Sequence, residues 1–146
     1  MMRFSKDYLD EALELVKKHE GFRSQPYTCT AGYLTIAFGK RVDYLNVDKE
    51  TGEKWCLEDL KKLDSRLRIV FQWYKDSPKM IKAVVLDLVY QLGIKGFSRF
   101  KKSIYLLETE QYEDAAEELL DSKWARSDSP NRAKELSDIV AKVKSA

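Results

Sequence analysis

The chain has 146 residues and carries 26 Lys and Arg against 24 Asp and Glu, for a net charge of +2. The two signs are interspersed, so it lacks the clustered basic face of a nucleic-acid binder. Hydrophobic residues at 44% supply a core and argue against long disorder, and one domain with two lobes is the simplest organisation.

Cys29 and Cys56, the only cysteines, are too few for a disulfide scaffold, and neither has a close metal-type partner. Both are expected to be reduced thiols. No apolar run is long enough for a membrane span. Asp7, Asp10, Glu11 and Glu14 interrupt the N-terminal apolar pattern, so no signal peptide is expected and synthesis in a cytoplasm is.

Residues 5–19 read as an amphipathic helix. Ser5 can cap it, Phe4 and Leu9 have staple spacing, and Tyr8, Leu9, Ala12, Leu13 and Val16 form an apolar stripe. Glu20 falls at the last turn, with Gly21 as the stop. A carboxylate there faces the negative end of the helix dipole, which favours its protonated form.

Residues 21–46 have strand composition, punctuated by Gly21, Pro26, Gly32 and Gly39. Strands are predicted near 26–29, 33–38 and 41–45. A Thr30-Ala31-Gly32 loop would set Cys29 opposite Tyr33, and Thr35 would share the face of Cys29.

Residues 47–56 read as a polar loop around Thr51-Gly52. A long helix over 57–74 follows, on Leu57, Leu60, Leu63, Leu67, Val70 and Tyr74. Ser77-Pro78 opens an almost wholly apolar helix that Gly93 ends, shorter helices are predicted over 97–107 and 110–120, and Ser129-Pro130 opens a last helix to about 143. The fold class is α+β: a small antiparallel sheet lobe over 21–56, a helical lobe over 1–20 and 75–146, and the 57–74 helix joining them.

Glycoside hydrolysis needs an acid at the leaving oxygen and, on the opposite face, a group that guides water or attacks the sugar. Glu20 suits the first role if burial raises its pKa. Cys29 and Thr35 suit the second, since a thiol and a hydroxyl can hydrogen-bond one water. Taken singly, Glu20 would be a solvated helix-end carboxylate, Cys29 and Cys56 small buried residues, and Thr35 a good strand residue. A His19-Glu20-Cys29 metal site lacks a fourth ligand. Trp55, Trp73 and Trp124 read as core or cleft-floor packing.

Glu20, eight residues, Cys29, five residues and Thr35 match the Glu-x8-Asp/Cys-x5-Thr motif of the phage lysozymes of glycoside hydrolase family 24. HEGFRSQPYTCTAGYLTIAFGKRVD resembles the EG…Y.D..G..TIG.G segment of that family, and VYQLGIKGFSRFKKSI and SKWARSDSPNRAKEL resemble its C-terminal stretches. The resemblance covers nearly the whole chain. It implies a lysozyme-like fold and hydrolysis of the β-1,4 bond between N-acetylmuramic acid and N-acetylglucosamine in peptidoglycan. By position Glu20 is the general acid and Cys29 the water-orienting residue with Thr35 as partner. Tyr90 stands on the cleft wall, and Arg132 matches an arginine that reaches toward the catalytic glutamate. The implied enzyme is a monomer without cofactor or metal, acting on glycan strands after release from the host cytoplasm by a membrane-permeabilising partner.

Three residues depart from the family pattern: Cys29 replaces the commoner Asp, Ala37 a usual glycine, and Lys40 a frequent His. An unperturbed thiol, with a pKa of about 8.5, is mostly protonated at neutral pH and a poorer base. A peptidoglycan-binding module that has lost turnover is therefore the second reading, and a helical interaction protein with an exposed apolar patch the third.

Overall fold

The computed structural model describes residues 6–145. The fold is α+β, with seven α-helices among the described residues and one three-stranded antiparallel sheet. The chain divides into two units, Met1–Gly52 and Glu53–Ala146. This grouping sets the first helix with the strands, whereas the sequence pattern had grouped residues 1–20 with the C-terminal helices.

In the first unit, helix α1 spans Lys6–Glu20 and ends in Lys17, Lys18 and His19, as its dipole favours. The Ser5 cap and the Phe4–Leu9 staple lie outside the described residues. Strands β1 (Arg23–Thr28), β2 (Leu34–Ala37) and β3 (Lys40–Arg41) pair in the order β1-β2-β3. Thr28 stands opposite Leu34 and Tyr27 opposite Thr35, and the register slips before Arg23 meets Ala37. Pro26 lies in that slipped stretch, and its missing N–H suits a bulge.

The third strand is shorter than the predicted 41–45. After Arg41 the chain closes a 3-10 turn over Val42–Tyr44. The Arg41 guanidinium bonds both Asp43 and Tyr44. An extended strand would point residues three apart to opposite faces, so the bond to Tyr44 favours the turn.

Helix α2 spans Lys49–Val70, so the predicted loop over 47–56 is largely helical. The cause is Asp48: its Oδ1 accepts the Thr51 N–H at 2.8 Å, and its carbonyl accepts the Gly52 N–H at 3.0 Å. This is a side-chain N-cap, worth about 1 kcal/mol. It offsets the cost of about 1 kcal/mol for Gly52 inside a helix. The far end also differs, because Phe71 adopts an extended conformation and separates α2 from the single turn α3, Gln72–Lys75.

The second unit holds the core. Helix α4 spans Lys79–Ser98, and its helical dihedrals break at Gly93, where the sequence had ended it. Helices α5 (Lys101–Glu108), α6 (Tyr112–Leu120) and α7 (Pro130–Ala141) follow. Ile81, Val84, Val85, Leu88 and Val89 of α4 are buried among Leu67, Phe97, Leu107, Leu119 and Val140. Each such side chain contributes roughly 1.5–3 kcal/mol of burial. Buried Tyr74 donates to Asp64 Oδ1 at 2.6 Å. That bond holds the Asp64 carboxyl below its ordinary value, while burial and Asp64 together push the Tyr74 phenol up.

Trp124 belongs to this core, Trp73 packs half-buried against it, and Trp55 is exposed. The Trp124 indole N–H donates to Gln91 Oε1 at 3.0 Å, and Gln91 Nε2 donates to Ser129 Oγ at 2.7 Å. The two bonds brace a π-helical turn over Trp124–Asp128, closed by the Ser129 N–H on the Trp124 carbonyl. Among the described residues no helix is long and apolar enough to cross a membrane.

Candidate active site

Glu20 is the last residue of α1, and the Gly21 N–H closes the helix on the Lys17 carbonyl at 3.0 Å. Two contacts then bring the helix end to the turn between β2 and β3. Phe22 packs on Phe38 with ring centroids 5.2 Å apart. The Glu20 carboxylate fills the space that a side chain at Gly39 would need: a Cβ there would lie 2.5 Å from Glu20 Oε2. Gly39 also has φ +71°, which a side chain disfavours. Glu20 is exposed, not buried as expected.

Cys29 and Thr35 come together as the hairpin register predicts. The Cys29 N–H donates to the Tyr33 carbonyl at 2.9 Å, and the Cys29 carbonyl accepts the Gly32 N–H at 2.9 Å. Gly32 has φ +88°, the left-handed residue that a three-residue hairpin loop requires. Thr35, on β2, is buried and donates its hydroxyl to the same Tyr33 carbonyl at 2.8 Å. One carbonyl oxygen therefore anchors both residues.

This turn also sets the electrostatics of the thiol. The Tyr33 amide lowers the Cys29 pKa most, the Thr35 hydroxyl next, and the Ala31 and Gly32 amides add to them, against a smaller opposing effect of burial. Cys29 thus occupies the first position of a turn where Asp is favoured, and the loop N–H groups serve a thiolate as they would a carboxylate. Thr35 has a single hydroxyl proton, given to Tyr33 when Cys29 is a thiol and able to rotate to the sulfur when it is a thiolate.

Tyr90 and Arg132 belong to the second unit, where they line one cavity of about 440 Å³ with Cys56, Leu60, Leu86 and Asp87. Arg132 Nε donates to Asp87 Oδ1 at 2.6 Å, and Nη2 reaches the Asp87 carbonyl at 3.3 Å. Interaction with the Cys56 side chain raises the Tyr90 pKa most, and burial and Asp59 add to the shift. Cys56 is half-buried beside Tyr90, not the plain core residue expected. In the first unit Cys29 and Thr35 meet at the Tyr33 carbonyl and Glu20 meets Gly39 at the next turn of the sheet; Tyr90 and Arg132 line a cavity in the other unit. Among the described residues no three His, Cys, Asp or Glu side chains cluster as a metal site would need.

Several neighbours of these residues escaped the sequence. Gly39 stands in the sequence as punctuation and as the last glycine of the TIG.G pattern, and neither marks it as the floor for Glu20. Asp87 is 45 residues from Arg132. Its signal was there to see, as the one acidic residue within the apolar run from Met80 to Leu92.

A helix-end carboxylate against a small antiparallel sheet, with a mostly helical second unit, defines an α+β protein of lysozyme-like fold. The family model for phage lysozyme matches residues 17–142. The chain belongs to the phage lysozyme family and is a lysozyme-type glycosidase; the family implies a peptidoglycan substrate. Two similar proteins come from Dictyostelium discoideum. One, a probable T4-type lysozyme 1, is 22% identical over 156 residues, covering 87% of this chain and 91% of the relative. The other, a probable T4-type lysozyme 2, is 33% identical over 66 residues, covering 45% of this chain and 38% of that relative.

Proposed function

We propose that the chain is an N-acetylmuramidase that hydrolyses the β-1,4 bond between N-acetylmuramic acid and N-acetylglucosamine. The observation that carries this reading is the convergence of the Cys29 N–H and the Thr35 hydroxyl on the Tyr33 carbonyl, in a sheet whose next turn receives the Glu20 carboxylate. Glu20, in its acid form, gives its proton to the leaving sugar oxygen. Cys29 and Thr35 hold the attacking water, and the Cys29 thiolate takes the proton that the water loses as its oxygen bonds the anomeric carbon. The lowered Cys29 pKa supports that role, because a thiolate is a far better base than a thiol. Arg132 and Tyr90 contact the glycan.

The test is clearing of outer-membrane-permeabilised Gram-negative cells by wild type beside Glu20→Gln, followed by chemical identification of the new sugar end. Glu20→Gln is expected to lose about 10²–10⁴-fold in rate while unfolding as wild type does. Full clearing by that variant sinks the assignment. Binding of wild type to purified sacculi without release of reducing ends would replace the hydrolase with a binding module.

A further inference from the structure

Arg41 is the half-buried residue of β3 that pairs across the sheet with Thr35. Its guanidinium lies 3.6 Å from the Tyr33 ring centroid and 4.5 Å from that of Tyr44. Asp43 grips the same group with two bonds, Nε to Oδ1 at 3.2 Å and Nη2 to Oδ2 at 2.7 Å, and Nη1 donates to the Tyr44 hydroxyl at 3.0 Å. All three nitrogens of the fork are thus engaged within its own turn, and the guanidinium is already committed to protein partners. Its planar face is turned to Tyr33, the residue whose carbonyl receives both the Cys29 N–H and the Thr35 hydroxyl.

We propose that Arg41 is a positioning residue for Cys29 and Thr35: stacked on Tyr33 and clamped by Asp43, it fixes the carbonyl on which both depend. This rests on the water-holding role given to Cys29 and Thr35 above. Tyr33 directly follows Gly32, the most permissive backbone position of the hairpin, and its ring is half exposed. Without the clamp, rotation about the backbone dihedrals of Gly32 and Tyr33 can carry the Tyr33 N–H, the Tyr33 carbonyl and the loop amides away from Cys29. Misplacement of about 1 Å in such a site can cost about a hundredfold in rate. The planar fork is essential to the arrangement, because a lysine ammonium can neither stack in the same way nor grip a carboxylate with two parallel bonds.

The test compares Arg41→Ala and Arg41→Lys with wild type in three measurements: thermal unfolding, kcat and KM on solubilised glycan, and the pH profile of Cys29 alkylation. Iodoacetamide followed by peptide mass spectrometry separates Cys29 from Cys56. Arg41→Ala is expected to raise the pH midpoint of Cys29 alkylation and to lower kcat about tenfold or more with little change in KM. Arg41→Lys should rescue neither, and adding Tyr33→Ala to Arg41→Ala should cost less than the two single effects combined. Asp43→Asn, which loosens the grip and keeps the stack, should move both readouts the same way by less, and it stands in if Arg41→Ala does not fold. An unchanged alkylation profile and kcat in a folded Arg41→Ala variant, or full rescue by Lys, overturns the inference. A shifted alkylation profile with unchanged kcat upholds the positioning by Arg41 and instead removes Cys29 from the proposed mechanism.

Discussion

The two units are built on different physics. Among the described residues every buried hydrophobic side chain lies between Leu67 and Val140 in the second unit, and in the first Thr35 alone is buried. One unit is held by close-packed apolar side chains and the other by turn geometry and hydrogen bonds to single carbonyls. The candidate chemical groups Glu20, Cys29 and Thr35 all sit in the weakly packed unit. Stability and catalysis should therefore respond to different substitutions.

The sharpest test of that contrast pairs two truncations of leucine. Leu88→Ala, in the core of α4, should lower unfolding free energy by about 2–5 kcal/mol in a denaturant titration. Leu34→Ala, exposed at the start of β2, should cost within about 0.5 kcal/mol. Equal costs would erase the distinction between the units.

Gly39→Ala probes the opposite pole. The positive φ should cost about 1–2 kcal/mol, seen as a lower melting temperature. Activity should fall much further, by about tenfold or more, because the new Cβ displaces the Glu20 carboxylate. Activity that falls only in step with melting would separate Glu20 from the chemistry.

Ala37→Gly should act in the reverse sense. Ala37 holds φ +60°, at the position where the family pattern carries glycine. Removing its Cβ should raise stability by about 1 kcal/mol in the same titration, without loss of clearing.

The smallest effect concerns pH. A thiol held below its ordinary value stabilises the folded state above pH 9.0, and that contribution is lost as pH falls through the folded-state pKa. Stability should therefore climb on approach to pH 9.0 in wild type and climb less in Cys29→Ser. Thr35→Val should bring the alkylation midpoint of Cys29 back toward that of the unfolded chain. An unmoved midpoint would remove the Thr35 hydroxyl from the electrostatics of the site.

Helix positions in the second unit were legible because apolar period and punctuation agree there. Ser129-Pro130 opens α7 and Gly93 breaks α4 where the pattern placed them. The pairing of Cys29 with Tyr33 was legible as well, since a three-residue loop dictates the register beside it. Illegible features depend on what a side-chain oxygen or cation does after folding. Thr51-Gly52 reads as a turn until Asp48 caps it into a helix, and residues 41–45 read as strand until Arg41 folds back on Tyr44. Asp87 stands out locally as a lone carboxylate in an apolar run, but that Arg132, 45 residues on, is its partner no local pattern can show.

The hairpin tip around Cys29 carries an evolutionary consequence. Apart from the Thr35 hydroxyl, its socket is made of main-chain amides, which every residue but proline brings along whatever its side chain. Selection can therefore exchange the occupant, carboxylate for thiol, without redrawing the loop. On the role proposed for Cys29, the cost of the exchange falls on the acidity at which the enzyme works and not on its architecture, so a single codon would shift such a lineage between environments of different pH.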